Sequence, residues 1–382
     1  SKAASIGKIA APGAVKPAAP VKPAAAVQRA VLPAATAPAD VLIPKYTPFA
    51  VPKWRSPLPI PAVKAPVATR ETPPPDWGQL NIAPEFYGPA SPSQTTLDKQ
   101  WYQLEAKPGI QQIVDGVNTP IWGYDGQYPG QLFRTKVGQP AVVRATNSLP
   151  EEISIHLHGG HQPSHSDGHP TFVVEPNHYW DYYYPFTVPV NADGSLDKED
   201  APSTLFYHDH TMDLTSKHVL FGLSGFWEAF DDKQLDLIGK GVLPGWDPSW
   251  GQFDEAKFLQ GQKADGSPVT TPYDIPLAIQ DRRFNADGSI YFDPKDHDGY
   301  LGDVTVVNGK AYPSLTVEPR KYRFRILNGA NARFYNLRLS DGQPFIGIGK
   351  DSWLYPTAIP RSQLYLGNAE RADVVVDFSK YK

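Results

Sequence analysis

Two histidine doublets, His156-Leu157-His158 and His208-Asp209-His210, are the residues of this chain best suited to chemistry. Residues i and i+2 of a β-strand point to one face, so each doublet can present two imidazoles side by side, and two such strands four. Imidazole is a ligand for copper, zinc, iron and nickel. The 382 residues include no cysteine and a single methionine, Met212, which excludes any thiolate ligand from within them. A lone His-x-His is weak, because histidines also sit satisfied in polar sheet faces. Two doublets, each at a strand end beside a Gly-rich or acidic segment, point to metal binding.

The elements that must position these residues are read from the surrounding pattern. Charged residues make up 20% of the chain and the formal net charge is −4, which gives no reason to invoke nucleic acid or an anionic membrane. No apolar run is long enough to cross a bilayer. Residues 1–75 are dominated by Ala, Pro and Val and have no acidic residue before Asp40. They read as an extended arm, expected to lie over the chain's own globular part or over a neighbouring subunit in a homo-oligomer.

Residues 76–235 read as a first β unit. Ala141–Asn147 is a strand. Ile153–His158 alternates, with Ile153, Ile155 and Leu157 on one face and Ser154, His156 and His158 on the other, before Gly159-Gly160 ends it. Thr204–His210 and Gly225–Phe230 are further short runs. Residues 236–382 read as a linker (232–271, rich in Gly, Pro, Asp and Trp) and a second β unit with strands over 275–280, 304–307, 322–327, 334–339 and 372–378. Tyr322 to Leu327 alternates, placing Arg323 and Arg325 on one face. With Arg320 they form a basic face whose expected role is solvated or interdomain ion pairing. Trp246 and Trp250 of the linker are expected to pack between the units. Strands without intervening helices predict an all-β fold of tandem β-sandwiches. An amidohydrolase barrel also carries an early His-x-His, but it needs a helix after most strands and later metal ligands, and downstream of His218 only His297 offers an imidazole.

The segments Ile155-His156-Leu157-His158-Gly159-Gly160, Ser166-Asp167-Gly168, Phe206-Tyr207-His208-Asp209-His210-Thr211-Met212 and Gly222-Leu223-Ser224-Gly225-Phe226 resemble the first domain of multicopper oxidases, in the branch of spore-coat laccase and bilirubin oxidase. Val307-Asn308-Gly309-Lys310, the stretch 318–328 and the stretch 369–378 resemble the second domain. The resemblance implies cupredoxin-like Greek-key sandwiches and a trinuclear copper cluster that reduces dioxygen to water. It assigns His156 to the type 2 copper and His158, His208 and His210 to type 3 coppers. It gives Asp167 a catalytic role in proton supply, against the alternative that Asp167 only caps the turn before Gly168.

In the family, a third domain carries the remaining cluster histidines and the type 1 copper ligands. The resemblance therefore implies a second polypeptide bearing that domain, with this chain inactive alone, and a small-molecule or metal-ion electron donor. The end at Lys382, directly after a strand, reads as an interruption. An extracytoplasmic location is implied as well. The contrasting expectation is a non-catalytic copper-binding or scaffold protein. His161, His165 and His169 read as solvated loop residues; His178 and His297 carry no motif. His218 reads as supporting or interfacial. Asp209 is expected to point away from the metals by strand alternation.

Overall fold

The computed structural model describes residues 46–68, 100–187, 193, 202–295 and 299–381. Most of the Ala/Pro arm and His297 lie outside them. Strands β1 (Gln100–Gln111), β2 (Thr119–Tyr124), β4 (Ala141–Asn147) and β6 (Tyr179–Tyr184) form one sheet in the order β2-β1-β4-β6. Strands β3 (Gly130–Lys136), β5 (Ile155–His158), β7 (Thr204–Asp209) and β8 (Ser224–Phe230) form a second, in the order β3-β8-β7-β5. Alternation along β1 and β5 buries one face between the sheets, whereas β7 and β8 are buried on both faces. Tyr102, Leu104, Val143, Ile155, Leu157, Tyr182 and Trp227 share that core, with Phe133 stacked on Trp227 at 4.3 Å between ring centroids.

A second sandwich follows. Its large sheet runs β11-β10-β9-β12-β17-β14-β15, built from β9 (Asp274–Arg282), β10 (Val304–Val307), β11 (Lys310–Ala311), β12 (Lys321–Asn328), β14 (Phe345–Lys350), β15 (Trp353–Arg361) and β17 (Arg371–Asp377). A two-stranded sheet, β13 (Tyr335–Leu337) with β16 (Leu364–Leu366), covers part of it. The all-β architecture is the predicted one. Two readings need correction. The strand expected over 334–339 is limited to Tyr335–Leu337, with Phe334 exposed. The segment 232–271 is not all loop: it forms helices α2 (Asp232–Gly239) and α3 (Glu255–Leu259), following α1 (Thr215–Phe221) between β7 and β8. Asp231 and Asp254 cap α2 and α3, accepting from the backbone amides of Gln234 and Lys257. The helices bury Leu235, Ile238 and Phe258 against Phe230 and Trp246, while Trp250 stacks on Tyr273 at 5.2 Å.

The sheets of the two sandwiches meet through a continuous apolar contact. Leu132, Phe206 and Phe226 from the first pack with Ala278 and Leu327 from the second. The basic face predicted at Arg323 and Arg325 lies inside this junction and is not solvated: both side chains are fully buried. On β12 the residues alternate, so Tyr322, Phe324 and Ile326 enter the second core while the two arginines face the first sandwich. Arg325 makes a bidentate pair with Asp274 (2.8 and 2.9 Å), and its Nε is 3.3 Å from Glu228 of β8. Arg134 of β3 donates to Glu228 at 2.8 Å, and Arg323 grips Asp373 through two nitrogens. Three cations and three anions are thus removed from water together. Arg320 stands apart, paired with Asp247 and lying over the Tyr273 ring at 3.8 Å.

The described part of the arm lies on this body. Thr47 bonds Asp303 twice, Leu58 N donates to Ser314 O at 2.7 Å, and Asn308 reaches Pro59 O at 2.9 Å, all on the second sandwich. Lys64 N then donates to Leu132 O at 2.7 Å, and its ammonium pairs with Asp125 at 2.6 Å on the first. Residues 46–68 therefore strap the two sandwiches. Removing one member of a buried ion network strands its partner as an uncompensated charge. Arg325→Met is predicted to destabilise the fold by about 3–5 kcal/mol in chemical denaturation. A loss near zero would show that Asp274 finds another counter-ion.

Candidate metal centre

The histidine doublets are assembled by one strand pair. β5 and β7 are antiparallel with His156 directly opposite His208 and His158 opposite Phe206. The buried face of β5 carries Ile155 and Leu157, so alternation leaves His156 and His158 on the other face, beside the ring of His208. The ring centroids of His156 lie 5.3, 5.5 and 5.2 Å from those of His158, His208 and His210. One ring nitrogen from each of His156, His158 and His208 falls within a mutual 4.8 Å. His210, just beyond β7, borders this trio without joining it at that spacing. Its ring is 5.6 Å from that of His208, and its Nδ1 is buried with no hydrogen-bond partner among the described protein atoms.

The donor set fits a metal that accepts imidazole. Neutral imidazole is the ligating form, and the surroundings favour it. Burial pushes His158 and His208 down to about 3, assisted at His158 by the Arg371 guanidinium and at both by the neighbouring histidines. His210 is lowered by burial and then by His156. The back of each opposed ring meets a backbone carbonyl: His156 Nδ1 is 2.5 Å from Asp167 O, and His208 Nδ1 is 2.7 Å from Asp209 O. A carbonyl can only accept, so each Nδ1 carries the proton and each Nε2 keeps a lone pair for a ligand. Such a cluster of imidazoles suits copper, and equally zinc, iron or nickel by donor type alone.

The loop 159–169 is folded against β5 by residues of particular size. Gly168 has φ +70° and lies so close to the strand that a Cβ there would stand 2.5 Å from His156 N. Ser166 is buried and accepts from Tyr183 N at 2.8 Å. Between them, Asp167 leaves half its side chain exposed, with a carboxylate oxygen 3.3 Å from His156 Nδ1 and another contact from Gln162 Nε2 at 2.5 Å. Asp209 does point away from the rings, to the amides of Ser154 and Thr211. His161 sits by Trp353, His169 by Thr171 and Phe172, and His178 against Pro176 O; none of them joins the cluster. His218 is completely buried.

Two neighbours of the cluster escaped the sequence reading. Phe206 stacks on both His158 (4.7 Å) and His208 (4.9 Å). Its place two residues before His208 was a signal for this, since i and i+2 share a face. Arg371 reaches over from β17 of the second sandwich, with its guanidinium 5.4 Å from the Phe206 ring and bonds to Thr204 O and Ser352 Oγ. No local pattern announces a contact across 165 residues of chain.

The chain resembles known proteins in sequence and fold. Residues 106–234 match the multicopper oxidase family. The chain is 30% identical to a laccase of Bacillus subtilis over 76% of its own length and 57% of the laccase's. It is 31% identical to a bilirubin oxidase of Albifimbria verrucaria over 88% of its length and 49% of that enzyme's. Among solved structures it resembles a laccase from Pediococcus acidilactici, with a TM-score of 0.64 and 26% identity, over 87% of this chain and 59% of that one. The chain spans about half the length of the curated relatives it matches, 49–57% in these two cases.

In the metal-free protein, His158 and His208 titrate near 3 when folded against an unfolded value of about 6.5. The unfolded chain then binds more protons between those values. The contribution of these two histidines to stability is predicted to be complete above about pH 6.5 and to be lost as pH drops towards about 3, with His208→Gln flattening part of the slope. Denaturation midpoints measured across that range check this; a slope identical in the variant would contradict it.

Proposed function

Because this chain carries a multicopper oxidase domain over residues 106–234, we propose that it is the N-terminal portion of a laccase-like oxidase and supplies half of a trinuclear copper cluster. The observation that carries this reading is the direct opposition of His156 and His208 on β5 and β7, which turns two sequence doublets into one cluster. The net reaction is the removal of one electron from each of four donor molecules or ions, with O₂, four protons and four electrons giving two H₂O. Bound copper supplies the redox chemistry. His156 would hold the type 2 ion, and His158, His208 and His210 the type 3 pair. A type 1 copper site needs a thiolate, and these residues hold no cysteine. We assign that thiolate, with the remaining cluster histidines, to polypeptide carrying a third cupredoxin domain, so that these residues alone are inactive. The electron donor is a phenol, a pigment or a metal ion.

The chain's own residues have definable tasks in this scheme. The carbonyls of Asp167 and Asp209 orient the rings of His156 and His208. Phe206 excludes water between His158 and His208. Asp167 is half-exposed and touches the back of His156, which suits it to pass protons from solvent towards the site of dioxygen reduction. Multicopper oxidases are often periplasmic or secreted, and we place this one outside the cytoplasm. Intact mass and sequencing of everything that copurifies with the chain from that fraction test both the location and the completing polypeptide. Bound copper without any blue absorption in the copurified material would favour a copper-binding scaffold instead.

His156→Ala and His208→Ala are each predicted to lower the copper content of the completed enzyme and abolish oxygen consumption; full copper loading in either would remove that residue from the ligand set. Asp167→Asn is predicted to retain copper while slowing oxygen reduction by about 10–100-fold. Turnover unchanged across pH in that variant would leave Asp167 as a turn cap only.

A further inference from the structure

One buried titratable group has no task in the scheme above. His218, on α1, has no solvent exposure, yet its two ring nitrogens each face a carboxylate: Nδ1 is 3.0 Å from Asp209 Oδ2 and Nε2 is 3.0 Å from Glu151 Oε2. Nε2 is hydrogen-bonded to Glu151, whereas Nδ1 meets Asp209 at ion-pair distance without hydrogen-bond alignment, and an imidazole held between two carboxylates is favoured as the imidazolium. Burial opposes that charge, but the two carboxylates outweigh it and hold the group above the usual histidine range. The rest of the pocket is mixed in charge. Lys217, on the same helix, pairs with Glu151 and lies 4.8 Å over the Trp122 ring of β2. Trp122 packs on His218 at 5.3 Å, burial and then the charge of Asp209 hold the phenol of Tyr124 of β2 in its neutral form, and Arg282 of β9 reaches the α1 backbone at Val219 O.

The far end of this chain of contacts is the backbone of the metal centre. Asp209 is fully buried; Oδ1 accepts from Ser154 N (3.0 Å) and Thr211 Oγ1 (2.8 Å), and Oδ2 from Thr211 N (3.1 Å). His210 N in turn donates to Ser154 O at 2.7 Å. One carboxylate thus ties the residue two before His156 to the residue after His210. We propose that His218 is a positioning residue of the histidine cluster: bridging Glu151 and Asp209, it holds the Asp209 carboxylate against Ser154 and Thr211 and so fixes the spacing of the two doublets. The contacts end on backbone amides, and Asp209 lies on the face opposite the ligand rings, so the assembly is a brace and not a proton path. The proposal rests on reading the four histidines as a copper site.

The test uses the 382-residue chain, first without metal. Hydrogen-exchange protection of the Ser154 and Thr211 amides is expected to hold while His218 is charged and to fall as pH rises through its transition. In His218→Gln protection should be low and independent of pH. In Glu151→Gln, a change at a partly exposed position that keeps the fold if His218→Gln does not, the fall should move to lower pH. Titration with Cu(II) should then show binding weakened by about tenfold in both variants. Protection unchanged in both variants, or Cu(II) affinity within about twofold of the unmodified chain, overturns the brace. Unmodified chain that shows the protection profile but binds no Cu(II) supports the brace and overturns the copper reading.

Discussion

The arrangement of the histidine cluster depends on the register between β5 and β7. With His156 opposite His208, three ring nitrogens fall within 4.8 Å and the fourth histidine lies alongside. A strand has period two, so a slip of one residue would turn Leu157 and Asp209 to the rings' face and bury the histidines in the core. The apolar neighbours of the histidines prevent that slip. Ile153, Ile155 and Leu157 fill the first core, and Asp209 can satisfy its carboxylate only on the far side of the sheet, at Ser154, Thr211 and His218. Hydrophobic alternation and one buried carboxylate specify the same register.

The second sandwich contributes to the surroundings of the cluster, although the four clustered histidines all stand on the first. Its junction with the first combines an apolar patch with the Arg325, Arg323, Asp274, Asp373, Glu228 and Arg134 network. Buried ion pairs of this kind add little net stability over an apolar contact, but they tolerate few alternative alignments. The fixed junction lets Arg371 approach the cluster from behind, close enough that Ser352 and Arg371 leave no room for a side chain at Gly159. A cation beside the already buried imidazole of His158 makes its protonation harder still, which keeps it available to a metal.

The same burial that favours neutral ligands has a cost at low pH, and the brace at His218 shows the opposite arrangement a few ångströms away. There, two carboxylates surround the imidazole and its charge is favoured. Two histidine environments with contrary electrostatics thus lie on the two faces of β7, separated by the sheet. The side a residue faces decides whether its imidazole offers a lone pair or a charge.

Much of this was legible in the sequence. Alternation at 153–158 and the two doublets identified the strands, the ligand candidates and the direction of Asp209, because these depend only on local period. The motifs around them carried the family. The short helices of 232–259 were hidden by a Gly-, Pro- and Trp-rich composition, although Asp231 and Asp254 were available as caps. The burial of Arg323 and Arg325, the reach of Arg371 and the double ion pairing of His218 had no local signature. Each depends on partners between 9 and about 170 residues away in the chain, such as Asp209, Glu151, Asp274 and Thr204. The sequence alone determined which residues could bind a metal and on which face of their strands they stand. Only the tertiary structure decided which of them meet, and which charges they meet, because sheet pairing and sandwich packing bring together residues that local periodicity cannot relate.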